Sequence, residues 1–127
     1  MKLFLIMMAL LWSGNASAAE GAALNPSAQF PDAQTPEGRV FRGSIVFQNY
    51  CILCHGVSAD GKGRAAKLYN PKPANLVLSD KNDKYMELIV RKGGAAVGRS
   101  EFMPPWSNEL TDEQVDDVIG YLRSIHQ

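Results

Sequence analysis

Gly43-Ser44-Ile45-Val46-Phe47-Gln48-Asn49-Tyr50-Cys51-Ile52-Leu53-Cys54-His55 contains both cysteines and one of the two histidines of the chain. On helical geometry Cys51 and Cys54 project to one side, with His55 directly after them. Val40, Phe47 and Cys51 fall near one helical face, with Phe41 and Ile45 beside them. Gly43 sits inside that helix, where glycine costs roughly 1 kcal/mol against alanine. A second helix crossing at Gly43, close enough to need backbone contact, is the simplest reason for it.

Outward from this stretch, Thr35-Pro36-Glu37 opens the first helix: Thr is a good N-cap, Pro suits the first helical position, and Glu favours the positive end of the dipole. Residues 56–80 read as loop, punctuated by Gly61, Gly63, Pro71 and Pro73. A shorter helix is expected from Lys81 to Lys92 with Met86, Ile89 and Val90 inward, ended by Gly93-Gly94. Residues 95–108 are again loop and contain Met103-Pro104-Pro105-Trp106. Thr111 and Gln114 form a capping box for the last helix, with Asp112 and Glu113 in its first turn. Val115, Val118, Ile119, Leu122 and Ile125 repeat at helical spacing, and Tyr121 flanks them. No strand pattern of convincing length emerges, so the expected class is all-α. About ninety ordered residues with loops this long hold too little core of their own. Something else must fill the centre.

The 127 residues suit one domain, and 13 basic residues balance 13 acidic ones. That balance argues against nucleic acid or a strongly anionic membrane as the main partner. Lys2, the apolar run Leu3 to Trp12, the break at Ser13-Gly14-Asn15 and the small-x-small Ala16-Ser17-Ala18 read as an export signal, residues 1–18, cleaved after Ala18. The rival reading is an uncleaved anchor, but the run is too short to span a bilayer comfortably, so no stable membrane insertion is expected. Residues 19–36, with Pro26, Pro31 and Pro36, read as a flexible tail ahead of the domain at 37–127, the alternative being that Leu24 and Phe30 pack on that domain. The expected location is the bacterial periplasm.

Cys51-Ile52-Leu53-Cys54-His55 is the C-x-x-C-H signature of covalent haem attachment, and export fits such chemistry. A simple Cys51–Cys54 disulfide leaves His55 and the missing core unexplained. A thioredoxin-like pair needs a strand–helix–strand setting that this sequence lacks. Zinc needs more ligands than this cluster offers, and His126 is the only other histidine. Of the methionines beyond the signal, Met86 falls in helical periodicity with Ile89 and Val90 and is expected to pack in the core. Met103 precedes Pro104, which favours an extended, stiffened backbone.

Residues 38–126 resemble a class I cytochrome c domain. The resemblance rests on Gly43, Phe47 and Cys51 at four-residue intervals before the haem signature, and on Val118 with Tyr121 in the last helix. It implies the cytochrome c fold, helices with long loops wrapped around one covalently bound haem c. It also implies that the terminal helices cross with Tyr121 near Gly43. Cys51 and Cys54 would hold the haem, His55 and Met103 would ligate its iron, and His126 at the end of the chain is a much weaker rival ligand. Relatives often supply a Pro carbonyl to the ligand histidine; here Gly63-Arg64 replaces the usual Gly-Pro, leaving that acceptor unassigned, with Pro71 and Pro73 further on. Trp106 is expected on the haem rim or in the core.

The implied function is single-electron transfer by a carrier rather than an enzyme, free or as the small haem subunit of a larger oxidoreductase, with redox proteins (a dehydrogenase, reductase or oxidase) as partners. The rivals are a haem-based sensor or weak peroxidase, both needing open iron, and a domain serving one dehydrogenase through the Gly93–Gly98 loop. Lys62, Arg64, Lys67 and Lys72 form a basic run, while Asp112, Glu113, Asp116 and Asp117 concentrate acid on the last helix; either is a docking face or simply solvated. Mass spectrometry of the denatured mature protein should show a polypeptide beginning at Ala19 plus one haem. A bare polypeptide from a host able to attach haem would contradict the reading.

Overall fold

Residues 30–127 are described by a computed structural model, and the expected signal, its cleavage point and residues 19–29 of the expected tail lie outside them. Helix α1 spans Pro36–Tyr50 and starts where the sequence places it: Thr35 is extended, and its hydroxyl oxygen accepts the Gly38 N–H at 3.1 Å. The chain then runs almost without a break into the single turn α2, Ile52–His55, because Cys51 N–H still donates to Phe47 O and His55 N–H to Cys51 O, both at 2.9 Å. Helix α3 is Asp83–Lys92 rather than Lys81–Lys92, since Asn82 is the cap and its side-chain oxygen accepts the Tyr85 N–H at 2.9 Å. Gly93, at φ +79°, ends it. Helix α4, Asp112–Ser124, carries the complete Thr111–Gln114 capping box. Short 3₁₀ turns at Ala66–Leu68 and Ala95–Val97 interrupt the two long loops. Among the described residues there is no strand.

Helices α1 and α4 cross at Gly43. A Cβ there would lie 2.0 Å from the Asp117 carbonyl oxygen and 2.8 Å from the Tyr121 Cβ, so only glycine lets the backbones approach this far. The Phe47 ring sits 5.4 Å from the Tyr121 ring, and Phe47, Val115 and Val118 are fully buried around it. The inward residue beside Phe47 is Val46; Ile45 faces solvent, one position off the face expected for it.

Of the four acids of α4, Asp117 alone is buried, while Asp112, Glu113 and Asp116 stay exposed. Asp117 is only 2 % exposed, and its carboxylate takes both Nε and Nη2 of Arg42, at 2.6 and 3.0 Å. Arg42 also pairs with Glu113 at 3.3 Å and donates to the Ala33 carbonyl, while Arg39 lies 3.6 Å from Asp117. Asp112 pairs with Arg91 of α3. Burying a carboxylate is costly unless it is paired and hydrogen-bonded, and the forked guanidinium supplies both in one fixed geometry. The charges therefore set how α1 and α4 are rotated against each other. The same Arg42 ties down the turn at residues 32–35, and Phe30 meets Phe41 at 5.3 Å.

Gly43→Ala should lower stability by about 1–3 kcal/mol in a thermal or denaturant melt, because the added methyl meets backbone that cannot step aside. Gln48→Ala, on the exposed side of α1, should stay within about 0.5 kcal/mol. Equal melts for both variants would show that the helices do not touch at Gly43.

Candidate haem site

Between the end of α1, the 69–81 loop, α3, the 99–106 loop and α4 lies a cavity of about 460 Å³. Its size falls inside the usual range for cofactor sites, about 300–1,000 Å³. Phe47, Leu110, Val118 and Leu122 belong to the core and also form its apolar wall. Cys51, Cys54, His55 and Met103 all line this one cavity, so the four residues singled out in sequence are brought together.

The crossing of α1 and α4 fixes where α1 ends, and therefore where Cys51, Cys54 and His55 begin. His55 is oriented by a bond from Nδ1 to the Ala74 carbonyl at 3.1 Å. That bond requires the Nδ1–H tautomer and leaves Nε2 with its lone pair, the arrangement found in metal-ligating histidines. Burial pushes the His55 pKa down, and the Ala74 bond offsets part of the effect. The acceptor left open in sequence is thus Ala74, directly after Pro73, on a loop that Leu76 N–H pins to Ala59 O at 2.8 Å. Two prolines two residues apart mark a stiff segment in sequence; which carbonyl it presents depends on the fold.

No disulfide joins Cys51 and Cys54. Burial pushes the Cys51 thiol up to about 12, with the neighbouring Cys54 adding to the effect. A dithiol redox pair needs the opposite, a thiolate stabilised well below the ordinary value. Among the described residues no cluster of three or more His, Cys, Asp or Glu side chains is placed to hold a metal ion.

Met103 is half-buried on a loop stapled to the end of α3. Gly94 N–H donates to Met103 O at 2.8 Å, Arg99 N–H to Gly94 O at 2.8 Å, and Trp106 N–H to Val90 O at 2.9 Å. A Cβ on Gly94 would lie 2.1 Å from Ser100 O and 3.2 Å from the Met103 Cβ. The Gly93-Gly94 pair therefore does more than end a helix: Gly94 admits the methionine loop. Met86 is 7 % exposed and belongs to the core, although it also reaches the cavity wall. His126 is exposed and bonds Ser79 O through Nε2 at 3.0 Å, outside the cavity lining. Trp106 stands on the wall with its ring edge-on to Tyr50, centroids 5.4 Å apart. Lys62, Arg64, Lys67 and Lys72 are exposed on the loops that follow α2, with Asp60 3.5 Å from Lys62.

A family model described as cytochrome C oxidase, cbb3-type, subunit III matches residues 38–122. Among solved structures, a chain of the reducing HAO-like protein complex from Kuenenia stuttgartiensis aligns with a TM-score of 0.56 at 27 % identity, over 67 % of this chain and 41 % of that one. This chain thus spans about two-fifths of that longer relative. No curated protein matches the sequence. No helix among the described residues is long and apolar enough to cross a membrane.

Gly94→Ala should disturb the methionine loop more than the rest of the molecule. The expected result is a loss of about 1–3 kcal/mol in stability together with faster amide exchange at Gly94 and Met103. Exchange unchanged at those amides would show that the loop does not depend on the close approach.

Proposed function

The chain belongs to the cbb3-type cytochrome c oxidase subunit III family of cytochrome c domains, and on that premise we propose that Cys51 and Cys54 hold its haem, that His55 and Met103 ligate the iron, and that it passes single electrons between redox proteins in the periplasm. Its fold is the all-α cytochrome c fold, and such a domain is an electron carrier with covalently bound haem c. The observation that carries the site assignment is the convergence of Cys51, Cys54, His55 and Met103 on one apolar cavity. The donor set fits the group: two thiols for the thioether bonds, an imidazole with its Nε2 lone pair free, and a thioether sulfur on a braced loop.

When bound, haem supplies a one-electron iron couple, with His/Met ligation favouring a raised potential. The protein's own part is to hold and to exclude. The Ala74 carbonyl keeps the His55 ring from turning. Gly94 holds the Met103 backbone through its N–H. Phe47, Val118 and Leu122 give the cavity wall an apolar surface. If His55 and Met103 both held the iron, no position would be left there for a substrate, which favours a carrier over a sensor or peroxidase. The basic run Lys62, Arg64, Lys67 and Lys72, exposed on the loops beside the attachment motif, is the docking face for an acidic partner. Work as one component of a larger oxidoreductase accords with the structural relative, which comes from a reducing HAO-like protein complex.

Met103→Ala should lower the reduction potential, abolish the near-infrared sulfur-to-iron band of the oxidised protein and admit carbon monoxide to the reduced form. Met86→Leu should keep the band, since such core swaps usually cost under about 1.5 kcal/mol. A band that survives Met103→Ala and vanishes in Met86→Leu would reverse the ligand assignment. A wild type without the band that binds carbon monoxide freely would favour the sensor reading.

A further inference from the structure

The cavity wall is mostly apolar, yet Lys72, Lys81, Arg99 and Asp80 all stand on it, three cations against one carboxylate. Two of the cations belong to one cluster. Asp80 Oδ1 accepts from Lys81 Nζ at 2.6 Å, and Arg99 Nε donates to the Tyr85 hydroxyl at 3.2 Å. The Asp80 carboxyl is held below its ordinary range first by the bond and charge of Lys81, with Arg99 adding to the effect. Lys72 stands apart, with its ammonium 3.4 Å from Ala66 O. The 79–81 loop, the start of α3 and the 99–100 loop thus bring an ammonium, a guanidinium and a phenol hydroxyl together at one part of the wall. Nothing in the electron-transfer reading so far uses them.

An ammonium, a forked guanidinium and a hydroxyl are a carboxylate-recognition set, and cations on a low-dielectric wall act more strongly than in open water. Haem carries two propionates, on a part of the porphyrin other than the vinyl groups that cysteines engage. Within the cluster, Lys81 and Arg99 against Asp80 leave one positive charge, and release of Asp80 from Lys81 makes two available, the number those propionates neutralise. We propose that Lys81, Arg99 and Tyr85 receive the haem propionates, an assignment that rests on the haem reading of the cavity. Asp80 then competes with a propionate for Lys81. Because Asp80 is exposed, it can give up that share by turning to solvent.

The test uses the haem-loaded full chain and reads the propionate bending band by resonance Raman, together with the reduction potential. Arg99→Gln and Lys81→Gln should each shift the band and lower the potential, because losing a nearby positive charge favours the oxidised form. Arg99→Lys should retain most of the potential. Asp80→Asn should raise the potential and shift the band in the opposite sense. Lys92→Gln removes an exposed charge absent from the cavity lining and should leave the band in place. A potential that falls in Arg99→Gln and Lys81→Gln while the band stays unmoved would overturn the proposal, since the cations would then act through their field alone. A band that moves equally in Lys92→Gln would overturn it as well. Wild type purified without haem from a maturation-competent host would instead overturn the haem reading itself.

Discussion

The contact between Gly43 and the Asp117 carbonyl is the constraint on which the rest of the domain depends. It lets α1 and α4 approach at backbone distance, and the Arg42–Asp117 fork fixes how they are turned. Once the crossing is set, the end of α1 has only one place to be. Cys51, Cys54 and His55 follow at that end, and Val118 and Leu122 of α4 stand on the wall they share. A methyl group at Gly43 would push apart the helix carrying the attachment site and the helix carrying part of the pocket.

The second half of the cavity is built differently, from loops pinned by a few main-chain bonds. Ala74 is set by a loop tied to Ala59, and Met103 by a loop tied to Gly94. Neither loop has a periodic apolar face, so each depends on backbone hydrogen bonds and on side chains reaching inward. The buried protein core lies largely along α1 and α4, with Met86 and Leu110 at its edge. The opposite side of the cavity therefore needs another apolar surface to pack against. A covalently held porphyrin supplies one large rigid surface, a more economical solution for a short chain than further helices.

Features decided by neighbouring residues were readable in the sequence. Thr35, Thr111 and Gln114 cap as expected, and C-x-x-C-H needed only its spacing. The Gly43–Tyr121 approach was legible too, through the resemblance that paired a helical glycine with a distant tyrosine. Other features depend on residues far apart in sequence, and these were not legible. Ser79-Asp80-Lys81-Asn82-Asp83 offers several cap candidates, and only the packing of α3 selects Asn82. Ile45 and Val46 are equally apolar, and the exact rotation of α1 decides which is buried. Asp117 looks like its acidic neighbours until α1 brings Arg42 against it. The part played by Gly94 in seating Met103, and by Ala74 in orienting His55, arises from loops folding back on the helices, which no periodicity records.

The central claim is that this domain is a helical frame completed by haem. Its most direct test is the cooperativity of unfolding in the unaltered chain prepared without haem, beside the haem-loaded protein. The account predicts that the haem-free chain keeps some helix in the far ultraviolet but loses its near-ultraviolet signal and unfolds without a sharp transition. The loaded chain should unfold in one cooperative step. A haem-free chain with the same near-ultraviolet signal, the same sharp transition and the same midpoint would contradict the account, because the cavity would then be stable without the group said to complete it.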